Sequence, residues 1–206
     1  MARPDILKQV RARIENAAPG DIFIPADFSD LGEARKVAMC LSRLFEDGTL
    51  EKVKRGVYMK PRYSKLLNRS VPPREDAVAK AIARNFGWTI VPCGDTALNM
   101  LGLSTQIPAV WLYVSDGPYK TYETEGIKFQ FKHTDRKNEL IGVSETTALI
   151  IQALRALGKG NIDAQTISYL SGRMSEKEKR QILQESRYVT AWIYETVKEI
   201  CGGSEA

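Results

Sequence analysis

"GEARKVAMCLSRLFEDGTLEKVKRGVYMK", residues 32–60, is the stretch whose reading decides the fold. Ala34, Val37, Ala38, Leu41, Leu44 and Phe45 recur at spacings of three and four, the period of one helix face, so a helix from about Glu33 to Asp47 is expected with that face inward. Arg35, Lys36, Met39, Ser42 and Arg43 are left outward. Gly48 follows as a stop, because glycine takes the left-handed cap conformation at no steric cost. Leu50, Val53, Val57 and Tyr58 then nearly alternate with Glu51, Lys52, Lys54, Arg55 and Lys60. Gly56 supplies the tight turn of a two-stranded hairpin.

Upstream, "IPADFSDLG" (24–32) reads as a shorter helix. Pro25 suits a first helical position, Asp27 the positive end of the dipole, and Gly32 the exit. Ile24 falls at the N-cap, for which it has no acceptor. Before it, Ile6, Leu7, Val10 and Ile14 mark an amphipathic helix, and Phe23 an extended piece. Helix, turn, helix and basic hairpin in this order describe a winged helix-turn-helix. The outward cations of its second helix suit a major groove, where phosphates attract them and Arg forks onto guanine edges.

Charge is distributed unevenly. The sequence carries a net +5, and residues 1–70 hold 14 Lys or Arg against 9 Asp or Glu while the remainder is balanced at 16 against 16. A charge run alone reads as a solvated face. Joined to the helix–turn–helix and hairpin, it points to a polyanion, double-stranded DNA, whose condensed counterions are released on binding.

With 206 residues the chain accommodates one large or two small domains, and 43% hydrophobic with 27% charged content is that of an ordinary globular protein. "MARPDILKQVRARI" lacks the apolar core of a secretory signal, and "TTALIIQALRAL" (146–157) is too short and too interrupted to span a membrane. Cys40, Cys93 and Cys201 lie far apart without a CxxC pair, so reduced thiols and a cytoplasmic location are expected. "KPRYSKLLNRSVPPRED" (60–76) reads as a connector, broken by Pro61, Pro72 and Pro73. The expected domains are therefore 1–69, the winged helix, and 74–206, a mixed sheet with helices and a helical tail. The fold class is α/β of the α+β kind.

In the second domain, a helix is expected over 75–86, strands over 89–91, 110–115, 119–123 and 127–132, and a helix over 95–101. From Ser144 onward the pattern is helical. Asp163 is placed as a cap, and Ser175 with Glu178 has the spacing of a capping box.

Catalytic motifs are absent: there is no P-loop, GxSxG or HExxH pattern, and neither cofactor nor metal is called for. The single histidine, His133, could act as a base but more often serves as a hydrogen-bonded surface group. Asp116, Asp135 and Lys137 loosely match the acid–acid-x-lysine order of a metal-dependent nuclease, the rival enzymatic reading. A stand-alone ligand-responsive regulator is the third.

Two runs carry a resemblance. "LSRLFEDGTLEKVKRGVY" (41–58) and "PCGDTALNMLGLSTQIPA" (92–109) resemble the AbiEi-like antitoxins, transcriptional regulators of type IV toxin–antitoxin and abortive-infection systems. The resemblance implies an N-terminal winged helix that binds inverted repeats in its own promoter as an autorepressor. It also implies a C-terminal domain that counters a nucleotidyltransferase-type toxin. By position, DNA contact falls on Arg35, Lys36, Ser42 and Arg43 of the helix and Lys52, Lys54, Arg55 and Lys60 of the hairpin region. Glu33 departs from the small capping residue usual at such a helix start. "LGLSTQIPA" (101–109) reads as structural, with Leu101, Leu103 and Ile107 buried.

Overall fold

The computed structural model describes residues 5–66, 68–124 and 126–202. It divides into two units, one of Met1–Trp88 with Thr124–Gly126 and one of Thr89–Glu123 with Ile127–Ala206.

The first unit begins with α1 (Ile6–Asn16), whose N-cap Asp5 accepts from the backbone N–H groups of Leu7 and Lys8 at 3.1 and 3.4 Å. Strand β1 (Ile22–Phe23) leads into a 3-10 turn, Pro25–Phe28, in place of the expected short helix. Ile24 offers no side-chain acceptor to the turn, and the bond made is the reverse one, Asp27 Oδ2 accepting the Ile24 N–H at 2.9 Å. Gly32 does not have a left-handed backbone. What it supplies is room, since a Cβ there would stand 2.9 Å from Ile6 Cδ1.

Helix α2 (Ala34–Glu46) buries Val37, Cys40, Leu41 and Leu44. Its inward stripe is rotated from the expected one. Cys40 is inside, Ala34 is exposed, and Phe45 is 41% exposed. A core of Val10, Ile14, Phe28, Val37, Leu41, Leu44 and Leu50 joins α1 and α2. Each fully buried leucine contributes on the order of 2 kcal/mol through burial. Gly48 ends the helix at φ +80°, as its position implied.

Strands β2 (Glu51–Lys54) and β3 (Val57–Met59) form the hairpin, with Lys54 opposite Val57, an irregularity between Lys52 and Lys54, and Gly56 at φ +78°. With β1 they make an antiparallel sheet in the order β1-β3-β2. The supposed connector holds a second small hairpin, β4 (Tyr63–Ser64) and β5 (Arg69–Ser70).

Helix α3 (Glu75–Phe86) has the bounds expected of it and ends on left-handed Gly87. It is counted with the first unit, whose main segment ends at Trp88. Arg84 ties the helix to that unit: its guanidinium donates to Ile22 O and to Asp27 Oδ2, both at 3.1 Å.

The second unit contains β6 (Ile90–Pro92), α4 (Gly94–Met100), β7 (Val110–Ser115), β8 (Lys120–Thr124) and β9 (Ile127–His133) in the sheet order β6-β7-β9-β8. β6 runs antiparallel to β7, but β7 and β9 are parallel from Val110↔Lys128 to Ser115↔His133. The chain leaving β7 therefore passes to the sheet edge as β8 and returns between. Tyr113, Phe129 and Phe131 are fully buried on this pair. Four helices follow: α5 (Glu145–Leu157), α6 (Ala164–Gly172), α7 (Glu176–Glu185) and α8 (Ala191–Ile200). They close around Ile151, Leu154, Leu170, Ile182, Ile193 and Val197. Both bonds of the Ser175–Glu178 capping box are made, at 2.8 and 3.3 Å. Leu101 and Leu103 pack against this cluster as expected, whereas Ile107 is 81% exposed. The protein is thus mixed α and β.

Candidate nucleic-acid interface

The outward side of α2 carries Arg35, Lys36, Met39, Ser42 and Arg43, spaced so that all five lie on one face. Arg35, Lys36 and Arg43 are exposed, and Ser42 is half-buried with its hydroxyl donating to Glu46 Oε1 at 3.4 Å. Glu33, the N-cap, makes no capping bond; its carboxylate stands 3.2 Å from Lys36 Nζ instead. Both side chains are well exposed, and such a pair contributes at most about 1 kcal/mol, so a phosphate can replace it readily.

The β2–β3 hairpin adds Lys52 and Arg55, both exposed, and Lys54, half-buried. Desolvation pushes the Lys54 ammonium below its ordinary pKa. Lys52 Nζ lies 5.8 Å from the centroid of Phe45, whose ring is 6.5 Å from that of Tyr58. These contacts link the C-terminal turn of α2 to the hairpin, so seven of the eight expected residues are carried by two elements in direct contact.

Lys60 is placed differently. Its ammonium donates to the carbonyls of Glu15 and Ala17 at 2.7 and 2.8 Å. These are carbonyls at the C-terminus of α1, the negative end of its dipole, and Lys60 caps it. This cation is spent on the fold, and its sequence position among other bases did not reveal that.

Several acids of the same unit have internal partners. Thr49 and Arg11 hold the Asp47 carboxylate down to about 2, with Arg11 at 2.5 Å. Arg13 forks onto Asp30 at 2.9 and 2.6 Å and lowers its pKa. Asp27 takes Arg84, and Glu51 accepts from Ser70 Oγ at 2.8 Å. Exposed bases of the unit that are not so paired include Arg35 and Arg43 on α2, Lys52 and Arg55 on the hairpin, and Arg62, Lys65 and Arg69 beyond it.

The residues of the nuclease reading are engaged elsewhere. Asp116 Oδ1 accepts from the Thr89 N–H at 2.8 Å, at the start of β6. Asp135 Oδ1 lies 3.1 Å from His133 Nε2, while His133 Nδ1 faces Gly117 O at 2.9 Å. Acceptors at both ring nitrogens favour the imidazolium, and the Gly117 and Asp135 contacts raise its pKa. Lys137 begins a 3-10 turn, Lys137–Glu139. Among the described residues no group of three His, Cys, Asp or Glu is placed to hold a metal ion. All three cysteines are free and buried, and burial pushes the Cys93 thiol up to about 11.

Sequence reading did not find two polar centres in the second unit. Glu139, 2% exposed, accepts from Gln152 Nε2 at 3.2 Å and from Arg155 Nε at 2.9 Å, and Arg155 also donates to Thr190 Oγ1. Glu185 Oε2 gathers Ser144 N, Ser144 Oγ and Thr147 Oγ1 at 2.9, 2.8 and 2.5 Å. The same unit has a cleft of about 450 Å³ lined by Ile162, Ile167, Trp192, Glu195 and Glu199 among others.

Fold and site together define a two-unit mixed α/β protein with a cationic helix-and-hairpin face on its first unit. The chain belongs to a family of unknown function, DUF6088, whose model matches residues 9–183 and so spans both units. Comparison with curated proteins finds no match. No helix among the described residues is long and apolar enough to cross a membrane.

Proposed function

We propose that the first unit is a winged helix that binds double-stranded DNA, with α2 in the major groove and the β2–β3 hairpin as its wing. One observation carries the reading: Arg35, Lys36, Arg43, Lys52 and Arg55 are all exposed on two elements in contact, outnumbering the two acids of that face, Glu33, which pairs with Lys36, and Glu46, while Asp27, Asp30 and Asp47 are held by Arg84, Arg13 and Arg11. Cations so arranged attract phosphates and release their counterions. The helix–turn–helix–hairpin order supports the same reading, and Arg35, Lys36, Met39 and Arg43 of the outer α2 face are exposed.

The finer proposal is a cytoplasmic autorepressor that binds inverted repeats in its own promoter and serves as the antitoxin of a nucleotidyltransferase-type toxin. It rests on the resemblance of residues 41–58 and 92–109 to AbiEi-like antitoxins. Titration of the purified protein on its upstream DNA tests the first part. Co-expression with the product of an adjacent reading frame tests the second, and growth arrest unrelieved by this protein would remove it.

A second reading, a regulator that responds to a small ligand without a toxin, is favoured by the cleft beside Trp192. Trp192→Ala would then alter DNA affinity only when a cell extract of small molecules is present.

A further inference from the structure

We infer that the second hairpin, β4–β5, is a separate DNA-contacting element that enters the minor groove, with Leu66 as an apolar wedge and Lys65 and Arg69 on the flanking phosphates. The inference rests on the DNA-binding reading of the first unit and adds to it a contact that α2 and the first hairpin do not make.

Charge comes first. From Lys52 to Arg74 the sequence holds eight bases, Lys52, Lys54, Arg55, Lys60, Arg62, Lys65, Arg69 and Arg74, and no acid. Lys60 is consumed in capping α1. Arg62, Lys65 and Arg69, all exposed, belong to the second hairpin and its approach, and are not part of the α2 face. A charge-only patch would be satisfied by any polyanion. The apolar tip is what narrows the partner.

Leu66 is 94% exposed, the most exposed large hydrophobic residue described in the molecule. An isolated exposed leucine is ordinary on a protein surface. This one stands at the tip of a hairpin beside Lys65, with the half-turned Asn68 at φ +49° closing the loop. Proteins that bind the minor groove insert apolar side chains, leucine among them, between base steps and kink the duplex.

The hairpin is also held in place. Tyr63 pairs with Ser70 and Ser64 with Arg69 across the strands, and the Tyr63 hydroxyl bonds the Asn68 side chain. Ser70 Oγ donates to Glu51 Oε2 at 2.8 Å, fixing the base of β5 to the first residue of β2. Opposed residues share a face, so Ser70 and Tyr63 lie on one side while Arg69 lies with Ser64 on the other, away from the Glu51 tether. Lys65, Leu66 and Arg69 are exposed, and the tether does not occupy them.

The test uses the full-length protein and a duplex of about 40 base pairs from its own upstream region, labelled at both ends, with binding followed over a salt series. Lys65→Ala/Arg69→Ala is expected to reduce the log–log salt slope by about two and affinity about ten-fold or more, with an unchanged melting temperature. Leu66→Ala is expected to retain most affinity but abolish the end-to-end energy-transfer change that reports bending. If both hairpin variants bind and bend the duplex as the wild type does, while Arg35→Ala/Lys36→Ala loses binding, the second contact is overturned and the winged-helix reading stands. If the wild type itself does not bind the duplex, the DNA reading falls and takes this inference with it.

Discussion

Lys52 Nζ stands 5.8 Å from the centre of the Phe45 ring, so the hairpin strand and the last turn of α2 hold each other's exposed face. Sequence periodicity assigned Phe45 to the core. Its partial exposure instead gives the cation an aromatic seat, an arrangement contributing about 0.5–1 kcal/mol at a solvated site.

Phe45→Ala is expected to leave the protein folded, lowering stability by about 1 kcal/mol, and to weaken DNA binding several-fold by freeing Lys52. Paired melting and titration curves check it. An unchanged affinity would detach Lys52 from the interface.

Lys60 and Arg55 should separate fold from binding. Lys60→Ala leaves two C-terminal carbonyls of α1 without their donor and is expected to cost about 1–2 kcal/mol of stability, with DNA affinity of the folded protein unchanged. Arg55→Ala should do the reverse: no change in melting temperature and a measurable loss of affinity. Denaturant titration and anisotropy on the same two variants decide it.

Glu185 sets an acid limit on the helical unit. Burial raises its pKa, but the bonds from Thr147, Gln181 and Ser144 outweigh burial and bring it from the ordinary 4.5 to about 2. The folded protein therefore prefers the carboxylate, a stabilisation fully present above pH 4.5 and lost as pH falls toward 2. Glu185→Gln is expected to cost about 1–2 kcal/mol near neutrality, and the gap from wild type should narrow at about pH 3. Denaturant curves at the two pH values measure this, and a constant gap would contradict it.

The buried pair of Glu139 and Arg155 predicts a larger effect. Arg155→Ala strands a carboxylate that is 2% exposed and is expected to cost about 3–5 kcal/mol. Arg155→Lys should recover only part of it, because one ammonium cannot reproduce a guanidinium that bonds Glu139 and Thr190 together. Thermal melts of both variants test the order.

Local signals were legible in the sequence where they act alone. The bounds 75–86 and 110–115, the Ser175–Glu178 box and the stop at Gly48 all follow from period, cap or turn chemistry within a few residues. What depends on distant partners was not. Parallel pairing of Val110–Ser115 with Ile127–His133 is decided by the whole sheet, and a connector rich in proline hid the β4–β5 pairing. Glu139 looks like an ordinary turn residue until Arg155 is brought against it. For the candidate site, helix period placed Arg35, Lys36 and Arg43 outward as expected, while Lys60 is indistinguishable in sequence from the bases around it. Only the distance to Glu15 and Ala17 separates it.

The most direct test is a fluorescence titration of the purified protein on its own upstream duplex against scrambled DNA of equal length, repeated over a salt series. The predicted result is saturable binding at least ~10³-fold tighter to the upstream DNA at about 150 mM salt. A log–log salt slope of roughly −4 to −6 is expected with it, and both should be abolished by Arg35→Ala/Lys36→Ala at an unchanged melting temperature. Equal, weak binding to both duplexes, a flat salt response or full binding by the double variant would contradict the assignment of α2 as the DNA-reading helix.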